Sequence, residues 1–414
     1  MTVTQTGVPA DLGEVNLADP ATFVRLDMDG TWQRIRAERP VWRHPKTSFG
    51  PEFWALSRYA DVLSLFSDDR FSSVPGNMLP SLLKAGGDPA SGKILALTDN
   101  PRHKALRTNF LKAFTPRIRA LIADRLQERT DHLIGARIGI GEFDFAREVA
   151  EPIPIGTICD LLGFPPEDHE RLLELSRDAL SSDEVGQTEE DTWLARNELL
   201  LHCMQLMEQR RADPQDDLVS VMVNCLVDGE PLTDDEVIVN IYGFILAGDH
   251  TSRLAMVSAL LEFARRPEQW RALKEARVSQ STAVDEILRW STPVMHIGRT
   301  ARADVHLGGQ LIRAGDLVTA WTIAANRDES VFPDPGDFDL ARKPNKHLSL
   351  GHGPHFCLGA YLGRAEITAV LNTLVNTVDS IELAGEPQAV YSTFLRGYSS
   401  LPLALTGRPK ALER

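Results

Sequence analysis

Leu350-Gly351-His352-Gly353-Pro354-His355-Phe356-Cys357-Leu358-Gly359 delivers a cysteine on a glycine-shaped loop to the start of a helix, whose alanine-rich pattern continues through Arg364. Two glycines and a proline make the loop tight. A helix N-terminus presents unpaired N–H groups and positive potential, which lowers a thiol pKa and stabilises a metal-bound thiolate. The residues alone leave three uses open. Cys357 is an axial thiolate for haem iron, a donor that favours O–O cleavage; or it joins His347, His352 and His355 around zinc, at a spacing that fits no familiar finger; or it is an inert buried thiol beside a turn.

Upstream, Thr233-Asp234-Asp235-Glu236 forms a capping box that opens a helix running to about Arg266, where Pro267 stops it. At 1.5 Å per residue such a helix is about 50 Å long, enough to cross a domain with its middle buried. That middle holds Ala247-Gly248-Asp249-His250-Thr251-Ser252, polar groups that cost about 1–3 kcal/mol each to bury without partners. Gly243 and Gly248 weaken the helix by up to about 1 kcal/mol each, a loss that suits close approach of backbone to a flat ligand. The alternative is a kink at which Thr251 bonds back to the preceding turn.

The 414 residues, 43% hydrophobic and 25% charged, describe an ordinary soluble globular chain. No linker or repeat divides it, so one catalytic domain, residues 21–414, is expected after a flexible segment, residues 1–20. Met1 to about Asp19 carries no Lys or Arg and lacks the order of a secretory signal. Cys159, Cys203, Cys225 and Cys357 form no CxxC pair, which fits reduced thiols in the cytoplasm. The longest apolar run, Val237–Gly248, falls short of the roughly 18 residues of a membrane span. A net charge of −14 argues against nucleic acid as a partner. Asn100–Ala123 runs against that balance: it has no acid but holds Arg102, Lys104, Arg107, Lys112, Arg117 and Arg119. Such a stretch either steers an acidic partner or is a solvated helix face.

Apolar spacing predicts helices over Arg117–Leu133, Pro166–Leu180, Asp191–Arg211 and Ala360–Val378. Strands are expected at Val41–Arg43, Trp54–Leu56, Thr300–Leu307, Leu311–Ala320 and in the tail Tyr391–Ala404, with Gly308–Gly309 as a turn. The class is helix-rich α+β, and the absence of GxGxxG and GxxxxGK[ST] disfavours dinucleotide and P-loop folds.

The cysteine loop resembles the haem-binding loop of the cytochrome P450 superfamily, Phe-Gly-x-Gly-x-[His/Arg]-x-Cys-x-Gly. Gly351, Gly353, His355, Cys357 and Gly359 match, and Leu350 replaces the phenylalanine, removing an aromatic neighbour of the sulfur. Glu286-Ile287-Leu288-Arg289 is similar to the family's Glu-x-x-Arg helix. Where the family supplies a third partner for that pair, this chain has Asp337, and Arg342 is the nearest substitute. His103 and Arg107 match a His-x-x-x-Arg that, with Arg299 and His355, meets the haem propionates. Ala247-Gly248-x-x-Thr251 resembles the oxygen-groove motif, in which Thr251 orders proton delivery to dioxygen. His250 stands at the usual acid's place, with Asp249 one residue early. These matches span the chain from about Ala21 to its C-terminus.

The resemblance implies a mainly α, triangular fold with small β-sheets, its haem b held between the long central helix and the cysteine-bearing helix. It implies a soluble, cytoplasmic, monomeric monooxygenase that inserts one atom of O2 by hydroxylation or epoxidation. Electrons would come from NAD(P)H through a reductase and a small acidic ferredoxin docking near the basic stretch. A lipophilic substrate, as in secondary-metabolite tailoring, would be bounded by Phe71–Leu97, the Leu180–Thr192 turn, Phe244, Ala247, Val294–Ile297, Phe394 and Leu395, with His250 and His296 as polar anchors or structural residues. Two other functions stay open: a peroxide-using or atypical haem-thiolate enzyme catalysing coupling or dehydration, and a non-catalytic haem-binding protein.

Overall fold

The computed structural model describes residues 7–83, 88–180 and 189–409. Its architecture follows from the long helices, labelled here α1 (Arg102–Phe110), α2 (Pro116–Gly135), α3 (Pro152–Leu162), α4 (His169–Leu180), α5 (Glu189–Ala212), α6 (Asp234–Arg265), α7 (Gln280–Ser291) and α8 (Ala360–Thr377). α6 starts where the capping box predicts. The Thr233 hydroxyl accepts the Glu236 N–H, and the Glu236 carboxylate accepts the Thr233 N–H at 2.9 Å. Asp234, Asp235 and Glu236 favour the positive end of the helix and pair with Arg211, Lys93 and Arg102 from three different segments. The N-terminus of α6 is thereby tied to α5, to the chain before α1 and to α1 itself.

The apolar faces of α6 divide the interior. Its C-terminal half, Ala255 to Phe263, packs with α7 and α8 in one core cluster, whereas Val237, Ile241 and Ile245 pack with α1 to α5 in another. No helix among the described residues is long and apolar enough to cross a membrane.

A five-stranded sheet flanks this helical body, in the order β1 (Val41–His44), β2 (Phe53–Leu56), β5 (Leu317–Ala320), β4 (Ile297–Ala301), β3 (Phe71–Ser72). β5 runs parallel to β2 with Val318 opposite Trp54, and antiparallel to β4 with Val318 opposite Arg299. Phe53, Ala55 and Trp42 share a cluster with Leu12, Val15, Leu17 and Trp32. The expected flexible segment is thus packed from Leu12 onward, because its apolar side chains cover one face of the sheet and the Leu17 N–H donates to His44 Nε2 at 3.0 Å.

The predicted strand Thr300–Leu307 is two strands. β4 ends at Ala301, after which the Arg302 N–H turns to the Arg70 carbonyl, and Val305–Leu307 pairs instead with Gln310–Ile312. Gly308 and Gly309, with φ of 55° and 80°, close that hairpin in the left-handed region that favours glycine. The tail is extended only from Tyr398; Phe394 and Arg396 bond through their backbones to Met295 and Pro293.

Candidate active site

The cysteine loop is built by its glycines. Gly351 and Gly353 have φ of 70° and 67°, and a Cβ at residue 353 would fall 2.5 Å from the Phe66 carbonyl oxygen. The Cys357 N–H donates to the Leu350 carbonyl at 2.8 Å, which closes the loop, and Gly359 then caps α8. Cys357 is accessible while Cys159, Cys203 and Cys225 are buried. Enclosure by surrounding atoms pushes its thiol up, and the Gly359 N–H and Arg107 pull it down. Those properties describe the wall of an internal slot whose donors favour the thiolate. Leu350 packs against the α6–α7–α8 core. Among the described residues no three His, Cys, Asp or Glu side chains converge around a metal; His347 faces Asp285 and His355 stacks on His103.

α7 anchors the loop from behind. Arg289 donates from Nε and Nη2 to the two Glu286 carboxylate oxygens, at 2.8 Å each, with both side chains fully buried. Arg342 takes the third place, its Nε 3.2 Å from Glu286, and Asn345 and the Asp339 N–H add hydrogen bonds of 3.0 and 2.9 Å to the same carboxylate. Asp337 contributes its backbone carbonyl, which accepts from Arg289 and Arg342. Arg289 also donates to the Asn326 carbonyl, while the Asn326 side chain accepts the Leu348 N–H at 2.7 Å and donates to Ser349 Oγ at 2.8 Å. The ion pair therefore reaches the residue next to Leu350 through Asn326.

At the edge of the slot, α1 supplies His103 and Arg107, β4 supplies Arg299 and the loop supplies His355. The two imidazoles lie 3.9 Å apart. Burial first, then neighbouring guanidinium groups, push His103 down to about 4 and His355 to about 3. Burial lowers Arg299 to about 10, relieved only by Asp99. Cationic and donor groups crowded together at such a desolvation cost call for anionic partners, and two propionates meet that need. Asp99 and Ser73 belong to this cradle's support. Asp99 accepts from the Ser73 N–H and hydroxyl, at 2.9 Å each, and from Ser72 and Arg302, while Ser73 Oγ lies 3.5 Å from His355 Nε2.

α6 carries the segment Ala247–Ser252. Ala247 is exposed in the middle of a helix whose other sides are buried, and Thr251 is half-buried one turn on. The Thr251 hydroxyl donates to the Ala247 carbonyl at 3.2 Å, the back-bond of the alternative reading. The two glycines make room for side chains, contrary to the expectation that they serve a flat ligand: a Cβ at 248 would meet Ile158 of α3 at 3.1 Å, and one at 243 would meet Ile94 at 2.2 Å. Asp249 and His250 are turned to buried sides of the helix. Asp249 Oδ2 accepts the Ser176 hydroxyl of α4 at 2.8 Å, and His250 Nε2 lies 3.6 Å from the same oxygen. Burial lowers the His250 pKa.

Of the residues expected around a substrate, Val294 and Leu395 bridge each other and Phe244 meets Phe110 edge-on at 5.9 Å. His296 is a structural residue, fully buried. Its Nε2 accepts the Leu79 N–H at 2.9 Å, its ring lies 4.6 Å from Trp321 and 5.5 Å from Phe394, and burial takes its pKa to about 3. Residues 181–188 of the Leu180–Thr192 turn, and 84–87 of the Phe71–Leu97 stretch, lie outside the described residues. A thiolate donor on the loop, an exposed Ala247 with half-buried Thr251 on α6, and cationic and donor groups clustered around His355 together fit a haem.

A family model described as Cytochrome P450 matches residues 181–379. The chain is 42% identical to Cytochrome P450 NovI of Streptomyces niveus, over 98% of this chain and 100% of that one. It is 35% identical to a methyl-branched lipid omega-hydroxylase of Mycobacterium tuberculosis, over 91% and 90%. Among solved structures, P450 OxyD, involved in the biosynthesis of vancomycin-type antibiotics, superposes with a TM-score of 0.86 at 30% identity, covering 95% of this chain and 100% of that chain.

Proposed function

The chain belongs to the cytochrome P450 family, and from that premise we propose that it is a ferredoxin-supplied monooxygenase acting on a lipophilic secondary-metabolite scaffold by hydroxylation or epoxidation. The observation that carries this reading is Cys357, the accessible cysteine among the described residues, on a loop whose His355 stacks on His103 and whose thiol faces Arg107. A haem b held there would supply O2 activation, in which two electrons from the ferredoxin and two protons let one oxygen atom enter the substrate while the other leaves as water.

The chain's own residues divide the remaining work. Cys357 would hold the iron through its thiolate, whose charge the Gly359 N–H stabilises. His103, Arg107, Arg299 and His355 hold the two propionates, and Ser73 and Asp99 orient that rim. Thr251 exchanges its bond to the Ala247 carbonyl for one that holds a proton on the open side of α6. Asp249 and His250 lie in the same helical turn but face buried sides of α6, with Ser176 fixing the carboxylate, which leaves the open side to Thr251.

Two features support the electron route. Arg117 is largely exposed, and Arg119 stacks over Tyr361 at 4.9 Å, four residues beyond Cys357. Arg117 pairs with the exposed Asp216 at 3.6 Å, whereas Arg102 is held by the buried Glu236 and Arg107 faces Cys357. Steering of an acidic ferredoxin thus falls to the Arg117–Arg119 face of α2, an effect on association rate that weakens with salt. Phe244, Val294, Phe394 and Leu395 favour an apolar ligand. In this reading the catalytic domain, expected over residues 21–414, also takes in the packed segment from Leu12, and the protein is a cytoplasmic monomer.

The absorption spectrum of the reduced, carbon monoxide-bound protein tests the thiolate: a Soret band far to the red of a histidine-ligated haem is expected, and Cys357→Ala should lose it. Turnover with ferredoxin, reductase and NAD(P)H tests the rest. A histidine-type spectrum sinks the haem-thiolate assignment, and turnover with peroxide alone makes the chain a peroxide-using enzyme instead.

A further inference from the structure

Asn326-Arg327-Asp328-Glu329 follows β5 and the short helix Thr322–Ala325, and its four side chains reach separate parts of the chain. Asn326 holds the cysteine loop, through the Leu348 N–H at 2.7 Å and Ser349 Oγ at 2.8 Å. Asp328 accepts the Tyr59 N–H at 2.8 Å, and the Tyr59 hydroxyl donates to the Lys346 carbonyl at 2.8 Å, so a second arm returns to the same loop. Arg327 and Glu329 reach the other way, to the helix Met28–Glu38.

Asp29 and Arg36 lie seven residues apart on that helix, about two turns, and share a face. Their charges are the reverse of those they meet. Arg327 Nε lies 2.9 Å from Asp29 Oδ1, and Arg36 donates from Nε and Nη2 to the Glu329 carboxylate at 3.2 and 2.9 Å. Turned end for end, the helix would set Asp29 against Glu329 and Arg36 against Arg327, so the two pairs admit one docking direction. Both guanidiniums are buried, and both carboxylates are about half-exposed. Arg36 also donates to the Ala324 carbonyl at 3.0 Å, and Arg327 to the Trp290 carbonyl near the end of α7 at 3.1 Å. Burial takes Arg327 down to about 9 against the pull of Asp29.

We infer that Asp29 and Glu329, acting through Arg327 and Arg36, are positioning residues for Cys357. Their clamp fixes residues 326–329, Asn326 fixes Leu348 and Ser349, and the next residue, Leu350, accepts the Cys357 N–H at 2.8 Å. This support is distinct from the Glu286–Arg289–Arg342 knot, which meets Asn326 at its carbonyl. The inference rests on the haem-thiolate reading above and deepens it: the helix Met28–Glu38 becomes part of what keeps the thiolate in place.

Holoenzyme of wild type, Asp29→Asn, Glu329→Gln, the double variant and Asp29→Glu is reduced under carbon monoxide and held in urea below the unfolding transition. The Soret band of the thiolate-ligated complex and the helical circular dichroism are followed together. Water takes the place of each half-exposed carboxylate, so each neutral variant should lose the thiolate band about threefold faster than wild type, and the double variant on the order of tenfold faster, with the helical signal unchanged. Asp29→Glu keeps the charge and should stay within twofold of wild type. Rates within twofold of wild type in both single variants overturn the inference, as does a band that disappears only in step with the helical signal, which describes general unfolding. If the double variant does not retain haem, the single variants decide by the same criterion. A wild-type band at the histidine position marks failure of the haem-thiolate reading; a thiolate band that the variants hold as long as wild type does marks failure of this inference alone.

Discussion

Arg342 shows how one residue can take over another's position. The carboxylate of Glu286 is fully buried, and removing a partner from a buried ion pair leaves charge uncompensated at a cost of about 3–5 kcal/mol. With Asp337 offering only its carbonyl, the second cation on Glu286 comes from Arg342, five residues on, at 3.2 Å. Arg342→Leu should therefore lower stability by about 3 kcal/mol or more, measured by chemical denaturation, and weaken haem retention through the Asn326–Ser349 link. Asp337→Ala should lie within about 0.5 kcal/mol of wild type, because its contribution is backbone. A large loss in Asp337→Ala together with none in Arg342→Leu would contradict this account. At this scale the sequence was legible where spacing is local: Glu286 with Arg289, His103 with Arg107, and the cysteine loop. It was silent on Asn326, Ser73, Asp99 and Asn240, polar residues whose partners arrive from 22 to 282 positions away.

Along α6, a rotation of about 100° per residue separates side chains that the sequence lists together. Thr251 shares its face with Ala247, while Asp249 stands about 160° around the helix and meets Ser176 of α4. The motif Asp249-His250-Thr251 therefore does two jobs on two sides, which the helical phase of the sequence could have shown and its reading as one polar cluster did not. Ser176→Ala leaves a buried carboxylate oxygen short of a donor and should cost about 1–3 kcal/mol in thermal or chemical unfolding. Thr251→Ala should cost under about 1 kcal/mol, since it loses only a back-bond on the open side, yet divert reducing equivalents from product to hydrogen peroxide. If Thr251→Ala couples NAD(P)H to product as wild type does, Thr251 is not the proton-holding residue. The caps of α6 were readable because they are contiguous, whereas the break after Ala301 depended on Arg70, a partner from another part of the chain.

Across the whole molecule, two buried titratable groups on different layers give opposite pH dependences. Glu366 of α8 faces Ser252 of α6 and Thr157 of α3, and burial raises its pKa from 4.5 to about 8. The native state then holds a proton that the unfolded chain releases, so this stabilisation is complete below pH 4.5 and lost as pH rises through about 8. His296, between β4 and the helix Leu79–Leu82, has its pKa lowered from 6.5 to about 3. There the unfolded chain binds the extra proton, and the stabilisation present above pH 6.5 is lost as pH falls toward 3. Between pH 4.5 and 6.5 the two slopes oppose one another; above 6.5 the Glu366 slope acts without the other, and below 4.5 the His296 slope does. Urea midpoints across this range should show Glu366→Gln removing the Glu366 decline toward pH 8 while keeping the acid limb, and His296→Gln, which retains an acceptor for Leu79, making the acid limb shallower while His103 and His355 keep the rest of it. A Glu366→Gln variant whose stability still falls in parallel with wild type above pH 6.5 would show that Glu366 is ionised in the native state, and that the junction of α3, α6 and α8 is hydrated instead of closed.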